Sequence, residues 1–181
     1  DNVLVAYEMN GVPLPEEHGF PARIVVPGLY GMENVKWLNW IQPVPLSYRG
    51  YWQHRGWADT AVIKTLSRID TPGDRDRLAP SEARIAGVAF AGDRGIRKIE
   101  VSLDDGATWE EVDMSDPLSP YTWVIWELPW DADPGTYSVQ VRATDSTGTL
   151  QTEKPSRNLP DGADGFHRIQ FVVQSPQTTD A

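Results

Sequence analysis

A histidine, an arginine and a lysine stand close together on Gly- and Pro-rich sequence near the start of this chain. They occur in His18-Gly19-Phe20-Pro21-Ala22-Arg23, then, after Pro27-Gly28-Leu29-Tyr30-Gly31, in Asn34-Val35-Lys36-Trp37. Glycine lets backbone N–H groups approach an anion closely, and Arg or Lys adds formal charge. The combination suits a phosphate-bearing ligand rich in heteroatoms. The plainer reading is three basic side chains on ordinary surface loops, and spacing alone does not separate the two.

Two further segments invite a chemical reading. Ser102-Leu103-Asp104-Asp105-Gly106-Ala107-Thr108-Trp109 has the form Ser-x-Asp-x-Gly-x-Thr-Trp, an Asp-box hairpin. Asp104 can accept backbone N–H bonds in the turn, Gly106 can supply a positive φ, and Trp109 can cap the hairpin. A structural turn is the favoured reading, because a propeller would need several copies and one is present. The loop Ala91-Gly92-Asp93-Arg94-Gly95 is either a plain connection or the place where Arg94 meets an anionic substrate.

Other chemistries are poorly supported. The chain has no cysteine, so disulfides, thiolate metal sites and cysteine nucleophiles are excluded. His54 and His167 are isolated, and no His pair stands at zinc-ligand spacing. Asp104-Asp105 and Asp131 to Asp133 are explained by turn chemistry, and Glu16-Glu17 and Glu110-Glu111 as solvated surface. The formal net charge of −10 disfavours nucleic acid or an anionic membrane surface as partner, and no stretch is apolar for long enough to span a bilayer.

The elements that must carry these residues are mostly strands. Alternation is clean over Ile96 to Leu103, where Ile99, Val101 and Leu103 share one face and Lys98, Glu100 and Ser102 the other. Arg84 to Phe90, Trp109 to Val112, Thr122 to Leu128, Tyr137 to Ala143 and Phe166 to Val173 read as further strands. Short strands about ten residues apart with turn signals between them argue a sandwich. Before residue 83 the pattern is weaker. Arg23 to Val26 is a β-branched run ended by Pro27-Gly28, Met32 to Ile41 reads as a short helical turn leading into a strand, and Ala61 to Leu66 reads as a strand. Asp1 opens directly on strand-like sequence, which is expected of a fragment whose upstream part lies elsewhere.

A family resemblance joins these pieces. Tyr7-Glu8-Met9-Asn10-Gly11, Pro13-Leu14-Pro15, His18-Gly19-Phe20-Pro21 with Arg23, Pro27-Gly28, Gly31 and Val35-Lys36-Trp37-Leu38 resemble the end of the molybdopterin-binding domain of the sulfite oxidase family. Gly87-Val88-Ala89-Phe90 through Thr108-Trp109, and Asn158-Leu159-Pro160 through His167-Arg168, are similar to the family's dimerisation domain. Tyr51 to Trp57 looks more like bacterial or archaeal members than the animal enzyme.

The resemblance implies molybdopterin as cofactor of a full-length parent. It implies pterin or phosphate contacts from His18, Arg23 and Lys36, with Asn34 and Val35 contributing backbone contacts, and a substrate-pocket role for Arg94. It also implies that the molybdenum-ligating cysteine lies outside this chain, so the chain alone is expected to be inactive and to bind no cofactor.

The expected fold is mainly β: an immunoglobulin-like β-sandwich preceded by a fragment of an α+β cofactor domain. The expected division is 1–42 for the cofactor-domain fragment and 43–82 for a connecting segment, with a first sandwich strand near 61–69. Residues 83–175 form the dimerisation domain and 176–181 a tail. Expected partners are a second copy of the chain and the upstream part of its own cofactor domain. An extracytoplasmic location in a prokaryote is favoured. The rival is a free-standing secreted β-sandwich that binds carbohydrate or protein through its Trp residues, a module with no need of His18, Arg23 and Lys36 on Gly/Pro loops.

Overall fold

The computed structural model describes residues 2–175, so Asp1 and the tail expected over residues 176–181 lie outside the described part. The chain divides into two compact units. One holds Asp1–Ile63 with Arg157–Ala163, the other Lys64–Ser156 with Asp164–Ala181. Among the described residues no helix is long and apolar enough to cross a membrane.

The first unit is built from short pieces. Strand β1 (Leu4–Ala6) pairs antiparallel with β4 (Arg23–Val25), and β2 (Glu8–Met9) with β3 (Val12–Pro13). The β2–β3 hairpin turns on Asn10 and Gly11, both at positive φ (54° and 79°), the dipeptide that a two-residue primed turn favours. Its buried hydrophobic side chains are Leu14 and Ala61, while Trp40, Ile41 and Tyr7 are more than half exposed. The helical turn expected from Met32 shrinks to the 3-10 turn Gly31–Glu33, and Asn34 to Ile41 forms no strand. The Asn34 side chain is the reason. Its Oδ1 accepts from Val26 N–H at 2.7 Å, and its Nδ2 donates to Leu29 and Tyr30 carbonyls at 3.3 and 3.1 Å, which curls the chain into a loop.

The second unit is the expected sandwich. Its strands are β5 (Leu66–Thr71), β6 (Arg77–Leu78), β7 (Ile85–Phe90), β8 (Ile96–Ser102), β9 (Glu110–Glu111), β10 (Asp113–Met114), β11 (Val124–Leu128), β12 (Gly135–Asp145) and β13 (His167–Val173). They form a four-stranded sheet, β10-β11-β7-β5, and a five-stranded sheet, β6-β13-β12-β8-β9. Two sheets closing over one core give an immunoglobulin-like architecture. Ile85, Val124, Trp126 and Leu128 of one sheet meet Ile99, Val101, Val139, Val141 and Phe171 of the other. The side-chain period of two sets this core directly: β11 reads buried–exposed–buried–exposed–buried.

Two details depart from the sequence reading. The first sandwich strand begins at Leu66, because Ala61 (φ 45°) to Ile63 bond within the first unit: Ala61 accepts from Tyr30 N–H at 2.8 Å and Ile63 N–H donates to Gly28 at 2.9 Å. The single strand expected over Trp109 to Val112 is instead a crossing. β9 pairs with β8, buried Val112 donates to Ile99 at 3.0 Å, and β10 pairs with β11 of the opposite sheet.

Candidate functional site

The 3-10 turn Glu16–His18 ends on Gly19, which is buried at φ 116°. Gly19 is needed there for space as well as for backbone shape. A Cβ on it would stand 3.2 Å from both the Arg23 and the Lys36 Cβ atoms, so both basic residues pack their stems against this glycine. The turn carbonyls are clasped one after another. Trp37 Nε1 donates to Glu16 at 2.8 Å, Lys36 Nζ to Glu17 at 2.6 Å, and Arg23 Nη1 to His18 at 3.2 Å. Backbone bonds from Ile24 to Val35, from Trp37 to Gly19 and from Leu38 to Ala22 zip the Lys36 segment to the Arg23 segment.

His18, Arg23 and Lys36 are therefore brought together on one turn. His18 is half exposed, with Nε2 3.8 Å from a Glu17 carboxylate oxygen. Arg23 Nε is buried and has no hydrogen-bond partner. An unbonded buried guanidinium nitrogen is costly unless something polar meets it. Asn34 and Val35 sit differently. The Asn34 side chain and N–H are consumed inside the loop, and the Val35 carbonyl accepts from Ile24, so these two brace the Lys36 segment. That bracing role was not legible from the residue types.

Arg94 lies in the second unit, on the β7–β8 loop. Its Nε donates to Asp145 Oδ2 at 2.9 Å, and Nη2 contacts Thr65 Oγ1 at 3.3 Å. Thr65 also bonds the same carboxylate oxygen at 3.1 Å. The other oxygen, Asp145 Oδ1, accepts from Thr147 N–H, Thr147 Oγ1 and Thr149 N–H at 2.6–3.0 Å. Asp145 is only 2% exposed. Burial alone would raise its pKa, but the bonds from Thr147, Arg94, Thr149 and Thr65 outweigh that and hold it at about 2. Arg94 is thus anchored to a rigid ionised partner. A plain flexible connection does not describe it.

The Asp-box is a turn in fact. Asp104 Oδ1 accepts from Thr108 N–H at 2.8 Å, Gly106 (φ 90°) donates to Ser102 Oγ at 2.8 Å, and Trp109 Nε1 donates to Gly106 at 3.1 Å. The Thr108 N–H, then the Thr108 and Ser102 hydroxyls, bring the Asp104 carboxyl to about 2. Among the described residues no group of His, Cys, Asp and Glu side chains could hold a metal ion. His167, isolated in sequence, accepts at Nδ1 from Ile69 N–H at 3.0 Å. Burial first, and the Arg68 charge second, lower its pKa.

Comparisons with known proteins agree on one relationship. The family model described as oxidoreductase molybdopterin binding domain matches residues 1–52, and that described as Mo-co oxidoreductase dimerisation domain matches residues 59–174. Human mitochondrial sulfite oxidase is 32% identical over 94% of this chain and 36% of its own length. The NAD(P)H nitrate reductase of Hordeum vulgare is 30% identical over 87% of this chain and 22% of its own. The crystal structure of the sulfane dehydrogenase SoxCD from Paracoccus pantotrophus superposes with a TM-score of 0.73 at 25% identity, over 97% of this chain and 52% of that one. The chain spans about a third of the length of the human relative.

Proposed function

Because the chain belongs to the sulfite oxidase family of molybdopterin oxidoreductases, we propose that it supplies part of a pterin clamp and the dimer interface of a larger enzyme. The full-length protein would move an oxygen atom to or from a small substrate such as sulfite. One observation carries the clamp: Arg23 and Lys36 pack on Gly19 with the Arg23 Nε left unbonded. A phosphate-bearing pterin fits this set. It would offer acceptors to the Arg23 guanidinium and to the protons of Lys36 Nζ not given to Glu17, with His18 as a further donor. When bound, the molybdenum cofactor supplies two-electron redox chemistry with oxygen-atom transfer. The chain's own part is to charge and orient: its two cations neutralise phosphate, and the clasped turn fixes where they stand.

Asn34 and Val35 contribute by holding Lys36 in place. Arg94 is our candidate for the group that meets an anionic substrate, because Asp145 and Thr65 fix its Nε edge and so the plane of its fork. The first unit buries few apolar side chains of its own, which supports a body completed by the upstream part of the cofactor domain. We also read the parent as prokaryotic, on the Tyr51 to Trp57 segment, and favour an extracytoplasmic location for it.

The test is the full-length protein, assayed for molybdenum, for pterin and for sulfite-dependent reduction of an electron acceptor. Near-stoichiometric cofactor with turnover is expected. A full-length protein that accumulates folded without pterin overturns the reading.

A further inference from the structure

The outer side of the β6-β13-β12-β8-β9 sheet carries a hollow of about 390 Å³ beside a break in strand pairing. Along β8 and β12, Thr144 stands opposite Lys98 and Asp145 opposite Ile96, so two steps on β8 match one on β12. Arg97 is the extra residue. A regular strand would send Arg97 and Lys98 to opposite faces, whereas here both line the same hollow. The wall across from them is fixed. Gly148 N–H closes a turn on the Asp145 carbonyl at 2.9 Å, and Leu150 bridges back to Thr144. The Asp145 carboxylate pins that turn by accepting from Thr147 and Thr149 N–H.

The side chains of the hollow offer donors, and their one carboxylate is already engaged. Arg97, Lys98 and Arg142 line it together with Glu100. One Glu100 oxygen lies 3.0 Å from Lys98 Nζ and the other 3.0 Å from Arg142 Nε. Burial would raise the Glu100 pKa, but the bonds from Arg142 and Lys98 outweigh it and lower it. The Arg142 guanidinium lies 4.0 Å over the Trp109 ring, so its plane is set and its two Nη groups are left to donate elsewhere. Among the described residues Arg97 has no carboxylate partner and the Thr144 hydroxyl no hydrogen bond. Three cations against one saturated carboxylate leave a local excess of positive charge in a chain whose net charge is −10.

We infer that this hollow binds a divalent tetrahedral oxyanion, sulfate or phosphate, on Arg97, the Arg142 fork, the remaining Lys98 protons and the Thr144 hydroxyl. The charge excess matches a dianion, and donors converging within one concave wall suit a small round ligand. Acidic polypeptide is a poorer fit. The neighbouring strand β9 sets exposed Glu110 and Glu111 opposite Val101 and Glu100, so a run of carboxylates leaving the hollow on that side meets like charge. Every residue involved belongs to the second unit, so the site stands independently of the pterin clamp.

The test is NMR on the isotope-labelled 181-residue chain, with sodium sulfate or sodium phosphate replacing sodium chloride at constant ionic strength. The Lys98 and Thr144 amides and the Arg142 Nε–H should shift and saturate, with half-saturation at about 1 mM or below. Saturation by either anion supports the site, and the lower midpoint names the source. Arg97→Ala should weaken binding about tenfold by removing a charge-assisted contact, with melting near that of wild type because Arg97 is exposed. Arg142→Lys keeps the charge without the fork and should also weaken it, whereas Arg168→Ala on β13 of the same sheet should not. In the full-length protein, equilibrium dialysis with radiolabelled sulfate should show Arg97→Ala losing bound sulfate while pterin content is unchanged. Shifts that do not saturate, or binding that Arg97→Ala leaves at the wild-type level in either experiment, overturn the site. So does poly-glutamate binding more tightly than both anions at the same amides, since the face then takes an acidic chain.

Discussion

Lys36 Nζ donates to the Glu17 carbonyl at 2.6 Å across 19 positions of sequence, one residue from the point where Arg23 Nη1 donates to His18. Two cations are thereby held on one turn, and the shared glycine beneath them fixes the spacing. In the full-length protein, Arg23→Ala or Lys36→Ala should each lower pterin retention about tenfold or more, from the loss of one charge-assisted bond of about 1.5–3 kcal/mol. Lys36→Arg should restore little, because a planar fork does not replace a compact ammonium. His18→Ala should be milder. Pterin released from purified protein measures this. A double variant of Arg23 and Lys36 with wild-type pterin would reduce the turn to scaffolding.

Gly87 occupies the centre of β7, where a Cβ would fall 1.9 Å from the Arg68 carbonyl oxygen and 2.8 Å from Trp126. Both neighbours are fixed, one as sheet backbone and one as the largest core side chain. Gly87→Ala should cost about 3 kcal/mol or more through overpacking and loss of β5–β7 pairing. A urea midpoint close to that of the wild type would contradict the strand packing.

Asp145 is the anchor for Arg94 and for the turn that follows β12. Asp145→Asn should destabilise the chain by about 2–4 kcal/mol, because it leaves Arg94 without its counter-charge and forces an amide N–H₂ toward donors. Its folded pKa of about 2 lies below the ordinary carboxylate value, so its contribution is complete above that value and is lost only as pH falls through about 2. Denaturant melts at neutral pH and in strong acid measure both effects. An Asn variant as stable as wild type at neutral pH would show that the anchor is dispensable.

His167 gives a gentler pH response. Its Nδ1 accepts from Ile69 N–H, so the folded state holds it neutral and its pKa is lowered, chiefly by burial. The unfolded chain then binds the proton first. Stability is complete above about pH 6.5 and should fall as pH drops through the lowered folded value. His167→Asn keeps an acceptor near Ile69 and removes the titration. Its urea midpoint should change less than that of the wild type between about pH 7.5 and about pH 5.5. Parallel pH curves for the two proteins would rule out His167 as the titrating group.

Much of this was legible in the residues themselves. The alternation over Ile96 to Leu103 and Tyr137 to Ala143 recovers β8 and β12 because a strand writes its two faces at every second residue, a purely local code. The Asp-box is local in the same sense, with its bonds closing within about five residues. The basic cluster His18, Arg23 and Lys36 was visible by type, since Gly and Pro announce loops and cations stand out on them.

What tertiary structure decided lies in the long-range bonds. The Asn34 side chain braces the loop, because Val26 N–H and the Leu29 and Tyr30 carbonyls converge on its amide. Ala61 to Ile63, apolar enough to be a strand, bonds back to Gly28 and Tyr30, and the sandwich begins later. Arg94 and Thr65 reach Asp145 across 51 and 80 positions of sequence, and no local pattern links the three. Hydrophobic alternation is enforced residue by residue against water. A polar side chain takes whichever partners the packed sheets bring within about 3 Å, and that choice exists only once the chain has closed on itself.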